Sequence, residues 1–173
     1  MMLDDETLVD VLDRLRNRFF GKYRGVVTQV DAATMRIKAT VPAVLTDQPT
    51  GWCRACVPYA GAQQGFAFLP EEGAGVWIEF EGGDVSYPIW TGCYWHDDEA
   101  PSQATDKVRA IVTKGGITIL LDDGSDTTTV TITDQNNNKV TLNSDGVTLQ
   151  RGGKQIAISD GTVSVNDGAL EVA

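Results

Sequence analysis

The spacing of apolar residues along this chain changes twice. Leu8, Val11, Leu12, Leu15 and Phe19 recur at three- and four-residue spacing, the signature of one stripe on a helix spanning residues 4–20. Asp4 or Asp5 suits the start of that helix, and Gly21 suits its end. The stripe is narrow and no neighbouring segment is obviously built to cover it. The helix therefore packs either on its own domain or against another chain. From Lys22 the period falls to two. Tyr23–Val30 and Met35–Val41 read as strands about an Asp31-Ala32-Ala33 turn; further strands fall near Trp52–Pro58, over Gly75–Glu81 and over Tyr87–Tyr94. Gly82-Gly83-Asp84 reads as the hairpin turn between the last two. A glycine-bearing connection, Tyr59–Pro70, carries Phe66 and Phe68 between the third and fourth strands. Five short strands with a long connection at that point fit a small Greek-key barrel of the OB type, with a sandwich fragment as the alternative.

Beyond Ile111 the pattern changes again: no aromatic residue occurs, and apolar residues come in period-two pairs. These are Ile117/Ile119, Val130/Ile132, Val140/Leu142, Val147/Leu149, Ile156/Ile158, Val163/Val165 and Leu170/Val172. Between them stand Asp, Asn, Ser and Gly clusters such as Asn136-Asn137-Asn138, Ser144-Asp145-Gly146 and Ser159-Asp160-Gly161, which tolerate the left-handed conformations of tight turns. The result is an internal repeat of short strands. Each strand offers a core about two modest side chains, and an isolated sheet leaves its edges open. Either the chain winds into a solenoid on its own, or three chains wrap together around a shared column made of these paired residues. The shortness of the rungs favours three chains. The chain thus divides into an amphipathic helix (1–20), a barrel (21–96), a polar linker (97–110) and the repeat (111–173). The fold class is all-β with one N-terminal helix: an OB-type barrel followed by an intertwined triple-stranded β-helix.

Composition narrows the possible partners. All four tryptophans (Trp52, Trp77, Trp90, Trp95) lie in the barrel segment, which marks it as the independent core of the 173-residue chain. The formal net charge of −10 argues against nucleic acid, whose phosphates attract clustered Lys and Arg. Arg14, Arg16 and Arg18 are interleaved with acidic and apolar residues and form no basic face. No apolar run is long enough to span a bilayer. The acidic first residues lack the layout of a secretory signal, so synthesis in the cytoplasm without a signal peptide is expected.

Candidate chemistry is sparse. Cys53 and Cys56, followed by Cys93 and His96, have a zinc-ligand spacing. However, residues three apart on a strand point to opposite faces, so these four are weak metal candidates and the cysteines read as small buried hydrophobes. Glu71-Glu72 and Asp122-Asp123 are adjacent acids in turns, not carboxylates facing each other across a substrate. His96 is the only histidine and has no nucleophile beside it in sequence. No enzymatic activity and no cofactor are expected. Tyr59, Phe66, Phe68, Trp77 and Trp90 suggest a stacking platform, so a binding module for oligosaccharide or single-stranded nucleic acid on a β-stalk is the alternative reading.

Several motifs resemble, in combination, the central spike of contractile tails, a family that includes phage baseplate assembly protein V, the VgrG proteins of type VI secretion and the spikes of extracellular contractile injection systems. They are Pro58-Tyr59-Ala60-Gly61, Gly65-Phe66, Leu69-Pro70, Val76–Phe80, Glu81-Gly82-Gly83-Asp84 and Pro88-Ile89-Trp90-Thr91-Gly92. The opening Phe20–Gly25, Thr131–Asp134 and Leu142–Val147 are similar to it as well. The resemblance implies a homotrimer in a virion tail baseplate or a bacterial injection particle. Its barrels would form a collar docked on a hub below the tail tube, and its tails a needle driven through a target envelope. It also implies departures. The Asp97–Thr113 gap is too short for the lysozyme domain some relatives carry, and the C-terminal residues lack the histidine-x-histidine iron motif of others. A separate tip protein of the PAAR kind is expected to cap the needle.

Overall fold

The computed structural model describes residues 9, 11, 12, 16–124 and 128–172, and these form two compact units, Met1–Asp98 and Glu99–Ala173.

The first unit contains β1 (Tyr23–Asp31), β2 (Arg36–Thr40), the short helix α1 (Pro42–Leu45), β3 (Arg54–Ala55), β4 (Ala60–Gly61), β5 (Gln64–Gly65), β6 (Gly75–Phe80) and β7 (Pro88–Tyr94). Five strands form one sheet in the order β2-β1-β6-β7-β3, and β4 and β5 pair separately within the long connection. Alternation sets the faces: Val76, Ile78 and Phe80 of β6 are buried, while Trp77 and Glu79 between them are not. These three join Val27, Ile37, Ala39, Val41, Cys53 and Trp90 in the core. The third strand is shorter than Trp52–Pro58, because Cys53 leaves β7 and turns toward β2. Its backbone N–H donates to the Ile37 carbonyl at 2.8 Å, and that of Thr50 donates to Ala39 at 2.8 Å. Isolated bridges at Ile37–Cys53 and Thr40–Pro49 are the contacts on that side, so the five-stranded sheet of the expected barrel is not closed by a ladder. Gly75 is required where it stands, since a Cβ there would lie 2.6 Å from the Tyr94 ring.

The helical residues end at Arg16, before the end of the 4–20 stripe. Val9, Val11, Leu12 and Arg16 are helical and exposed. Asp4, Asp5, Leu8, Arg14 and Leu15 lie outside the described residues. Phe19, expected on the helical stripe, and Gly21, expected at the helix end, both lie beyond the helical residues. The Phe19 N–H donates to Gly83 at 2.9 Å, and its ring packs edge-on against Tyr23 and Phe80. The barrel core captures this aromatic ring because burying it is worth more than continuing one helical turn.

The second unit holds β8 (Val108–Val112), β9 (Thr118–Asp122), β10 (Thr129–Thr133), β11 (Lys139–Asn143), β12 (Gly146–Arg151), β13 (Lys154–Ile158), β14 (Val163–Val165) and β15 (Leu170–Val172). They form one eight-stranded sheet in strict chain order, β15 to β8. The first of them begins at Val108, inside the segment read as linker. Every neighbouring pair is antiparallel. Among the described residues each strand of the tail pairs with the adjacent segments of its own chain. The turns make this possible. Asp134 accepts backbone N–H bonds from Asn136 at 2.8 Å and Asn138 at 2.9 Å, which reverses the chain in place between β10 and β11. No helix of the described residues is long and apolar enough to cross a membrane.

Candidate functional site

The register of the second sheet organises its apolar residues into two rows. In the first, each residue lies opposite the next: Ile111, Ile119, Ile132, Val140, Leu149, Ile156, Val165 and Leu170. In the second, Leu121, Val130, Leu142, Val147, Ile158, Val163 and Val172 do the same. The two rows are two residues apart along every strand, so they share one face. The row between them points the other way and reads Ala110, Leu120, Thr131, Thr141, Thr148, Ala157 and Ser164. One face is a hydrophobic ladder, and the other is small and mostly hydroxylated.

That ladder is uncovered. None of its side chains is buried, and Leu142, Leu149 and Ile158 are each more than two-fifths exposed. Two grooves run along the unit. One, of about 680 Å³, is floored by Ile132, Val140, Leu149 and Ile156. The other, of about 1080 Å³, is lined by Leu121, Val130 and Leu142. Fully burying a Val, Leu or Ile is worth roughly 1.5–3 kcal/mol, and the chain alone realises only part of that at each position. A contiguous apolar face of this extent marks an interface.

The register revises the pairing read from sequence at one point. Leu121, not Ile117, stands opposite Val130, and Ile119 stands opposite Ile132. Ile117 lies next to the turn instead, where its carbonyl accepts from the Thr113 N–H at 2.9 Å. Ile111 and Leu121 were not paired from the sequence. Ile117, Ile119 and Leu121 all alternate, and only the partner strand selects which two align.

The residues considered for chemistry are scattered. Cys53 is sealed in the barrel core with its Sγ 3.2 Å from the Thr50 hydroxyl, and burial pushes its thiol up. Cys56 and Cys93 are exposed, and local desolvation raises the Cys93 thiol too. His96 stacks edge-on with Tyr94. Among the described residues no three His, Cys, Asp or Glu side chains gather as a metal would require. Glu71, Glu72 and Asp123 are exposed, and Asp123 pairs with Arg109 at 2.6 Å. The proposed stacking residues separate as well. Trp90 is in the core, Trp77 is flanked by Arg24 and Tyr94, and Tyr59, Phe66 and Phe68 of the five are exposed, on either side of the β4–β5 hairpin.

Both units match known families. Residues 23–95 match the type VI secretion system/phage-baseplate injector OB domain. Residues 109–171, which contain nearly the whole apolar ladder, match the phage baseplate V C-terminal trimerisation domain. No curated protein shows a significant sequence match to the chain. With an injector OB domain followed in order by the baseplate V trimerisation domain, the chain belongs to the phage baseplate V family and is a structural baseplate component.

Proposed function

We propose that three copies of this chain turn their apolar ladders toward a common axis and form the central spike of a contractile tail. The observation that carries this reading is the pair of unbroken apolar rows on one open face. A twofold sandwich would also cover such a face; the match to a trimerisation domain favours three. Three sheets would then close as the faces of a prism with a dry centre. Eight strands at ~4.8 Å spacing stack to roughly 35 Å along the ladder, and their backbone hydrogen bonds run in that direction. Such a rod resists bending because every rung is held by its neighbours and by the packed axis. In this role the protein works mechanically: sheath contraction pushes it through the target envelope, with no catalytic step. The OB barrels form the collar that docks on the hub. The open edge strand β15, with Leu170 and Val172 exposed, is where a separate tip protein of the PAAR kind would seat.

Light scattering of the purified full chain tests the assembly. A mass three times that of the chain, retained in mild detergent, is the expected result. A monomer that keeps its far-UV β signal would sink the reading. The alternative, an OB module that binds oligosaccharide or single strands, draws support from Phe66 and Phe68, which stack at 6.2 Å on the exposed connection. It predicts a monomer whose ligand affinity disappears in Phe66→Ala/Phe68→Ala.

A further inference from the structure

The two lateral ends of the C-terminal sheet carry opposite charge. At one end lie the β8–β9, β10–β11, β12–β13 and β14–β15 turns, with Lys114, Lys139, Arg151 and Lys154 against Asp134 and Asp167. At the other end lie the β9–β10, β11–β12 and β13–β14 turns, with Asp122, Asp123, Asp145 and Asp160 against Lys107 and Arg109. Some of these charges are already engaged within the chain. Arg109 holds Asp123 at 2.6 Å, Arg151 donates to Asn138 at 3.2 Å, and Asp134 is held by Asn138. Lys139, Lys154 and Asp160 make no ion pair within the described chain.

We infer that the basic end of one copy docks on the acidic end of the next, so that Lys139 and Lys154 meet Asp145 and Asp160 of a second copy at each corner of the assembly. The inference rests on the trimeric reading above and specifies how its corners are made. A closed threefold ring is built from heterologous contacts: each copy must offer two different surfaces that fit each other. A sheet curled about an axis with its apolar face inward can offer only its two lateral ends. These are the surfaces that differ in charge here.

Strand order supplies the match in height. Turns at the basic end fall after β8, β10, β12 and β14, and turns at the acidic end after β9, β11 and β13. In a ring without rise, the two sets interleave, each offset from the next by one strand spacing of ~4.8 Å. Asp145, in the β11–β12 turn, then falls level with Lys139 at the start of β11 and Arg151 at the end of β12. Asp160, in the β13–β14 turn, falls beside Lys154 at the start of β13. Opposite charges thus face each other at successive heights; sliding a copy by two strands one way would bring Asp160 toward the Lys139 level and leave Lys154 unmatched, and the other way would carry Asp160 past Lys154, with only Asp167 near its level. The corners therefore set axial register, a task the repetitive Val, Leu and Ile ladder performs poorly because one aliphatic residue fits much like the next.

The test is a charge-swap cycle on the full chain, read as the denaturant midpoint of trimer dissociation by light scattering. Lys139→Glu/Lys154→Glu makes both ends acidic, and Asp145→Lys/Asp160→Lys makes both ends basic. Each is expected to lower the midpoint, with at least about a tenfold weaker association, because like charges then face each other at all three corners. Combining all four substitutions restores the pairing with its sign reversed and should recover most of the loss. Losses that add in the fourfold variant, or pairs of substitutions without effect, would overturn the inference while leaving the trimer standing. A monomeric wild type would instead remove the trimeric reading itself. If the paired variants do not fold, the wild type decides. Its midpoint should fall as NaCl rises from about 0.05 to 1 M, and a midpoint that holds or rises overturns the inference.

Discussion

Leu149 on β12 stands directly opposite Ile156 on β13, and the two side chains remain 46 % and 40 % exposed in the chain by itself. Thr148, the neighbour of Leu149, points to the other face and stands opposite Ala157. A carboxylate at position 149 would enter the shared axis in every copy, with nothing to pair it, at a cost of several kcal/mol per charge. Leu149→Asp is therefore expected to convert the assembly to monomers by light scattering, whereas Thr148→Asp leaves it intact. Equal behaviour of the two variants would contradict an apolar axis on that face.

Gly146 opens β12 with φ at +127°, and a Cβ there would sit 1.9 Å from the Ile158 carbonyl oxygen on the adjacent strand. The positive φ alone costs about 1–3 kcal/mol for a residue with a side chain. The clash with a backbone oxygen adds to it, because the strands must separate to relieve it. Gly146→Ala should lower the unfolding midpoint of the C-terminal unit, followed by far-UV circular dichroism. The fluorescence of the tryptophans, all in the barrel, should keep its own midpoint. A wild-type midpoint in this variant would show that β12 does not approach β13 so closely.

Thiol reactivity should separate the cysteines. Cys56 is exposed, while Cys53 is buried with a raised thiol pKa caused mainly by desolvation. Because the thiolate is the reactive form, an aromatic disulfide reagent should modify Cys56 in the native chain and reach Cys53 only on unfolding. Mass spectrometry of partially labelled protein reads the order directly; early labelling of Cys53 would mean that the Thr50–Cys53 packing is loose.

The β10–β11 turn should depend on pH. The Asn138 side chain, first, and the backbone N–H groups around Asp134 hold its carboxyl below the ordinary value of 3.8. The folded value is thus depressed. The stabilisation is complete above the unfolded pKa of about 3.9 and is lost as pH falls through the lower folded value. The Asn138 amide should show slowed hydrogen exchange at pH 5 and lose part of that protection as pH falls below the ordinary carboxylate value, with the loss absent in Asp134→Ala. Protection at pH 5 that is the same in the wild type and in Asp134→Ala would mean the carboxylate is not what holds the turn.

The barrel strands were legible because large apolar residues alternate within them: Val76, Ile78 and Phe80 announce a buried face before any partner is known. The third strand and Phe19 were misjudged for one reason. Cys53 serves β2 rather than β7, and Phe19 serves the barrel core rather than the helix, and both choices are made by residues far away in sequence. The tail shows the same division. Alternation and the Asp, Asn and Gly turns determined that short strands share one apolar face, since both are local properties of the backbone. That Ile119 meets Ile132, that Leu121 displaces Ile117 from the rows, and that the strands follow chain order were decided only by the tertiary structure. Hydrogen-bond register is fixed between segments, and aliphatic residues at every second position fit more than one register equally well until a partner strand selects among them.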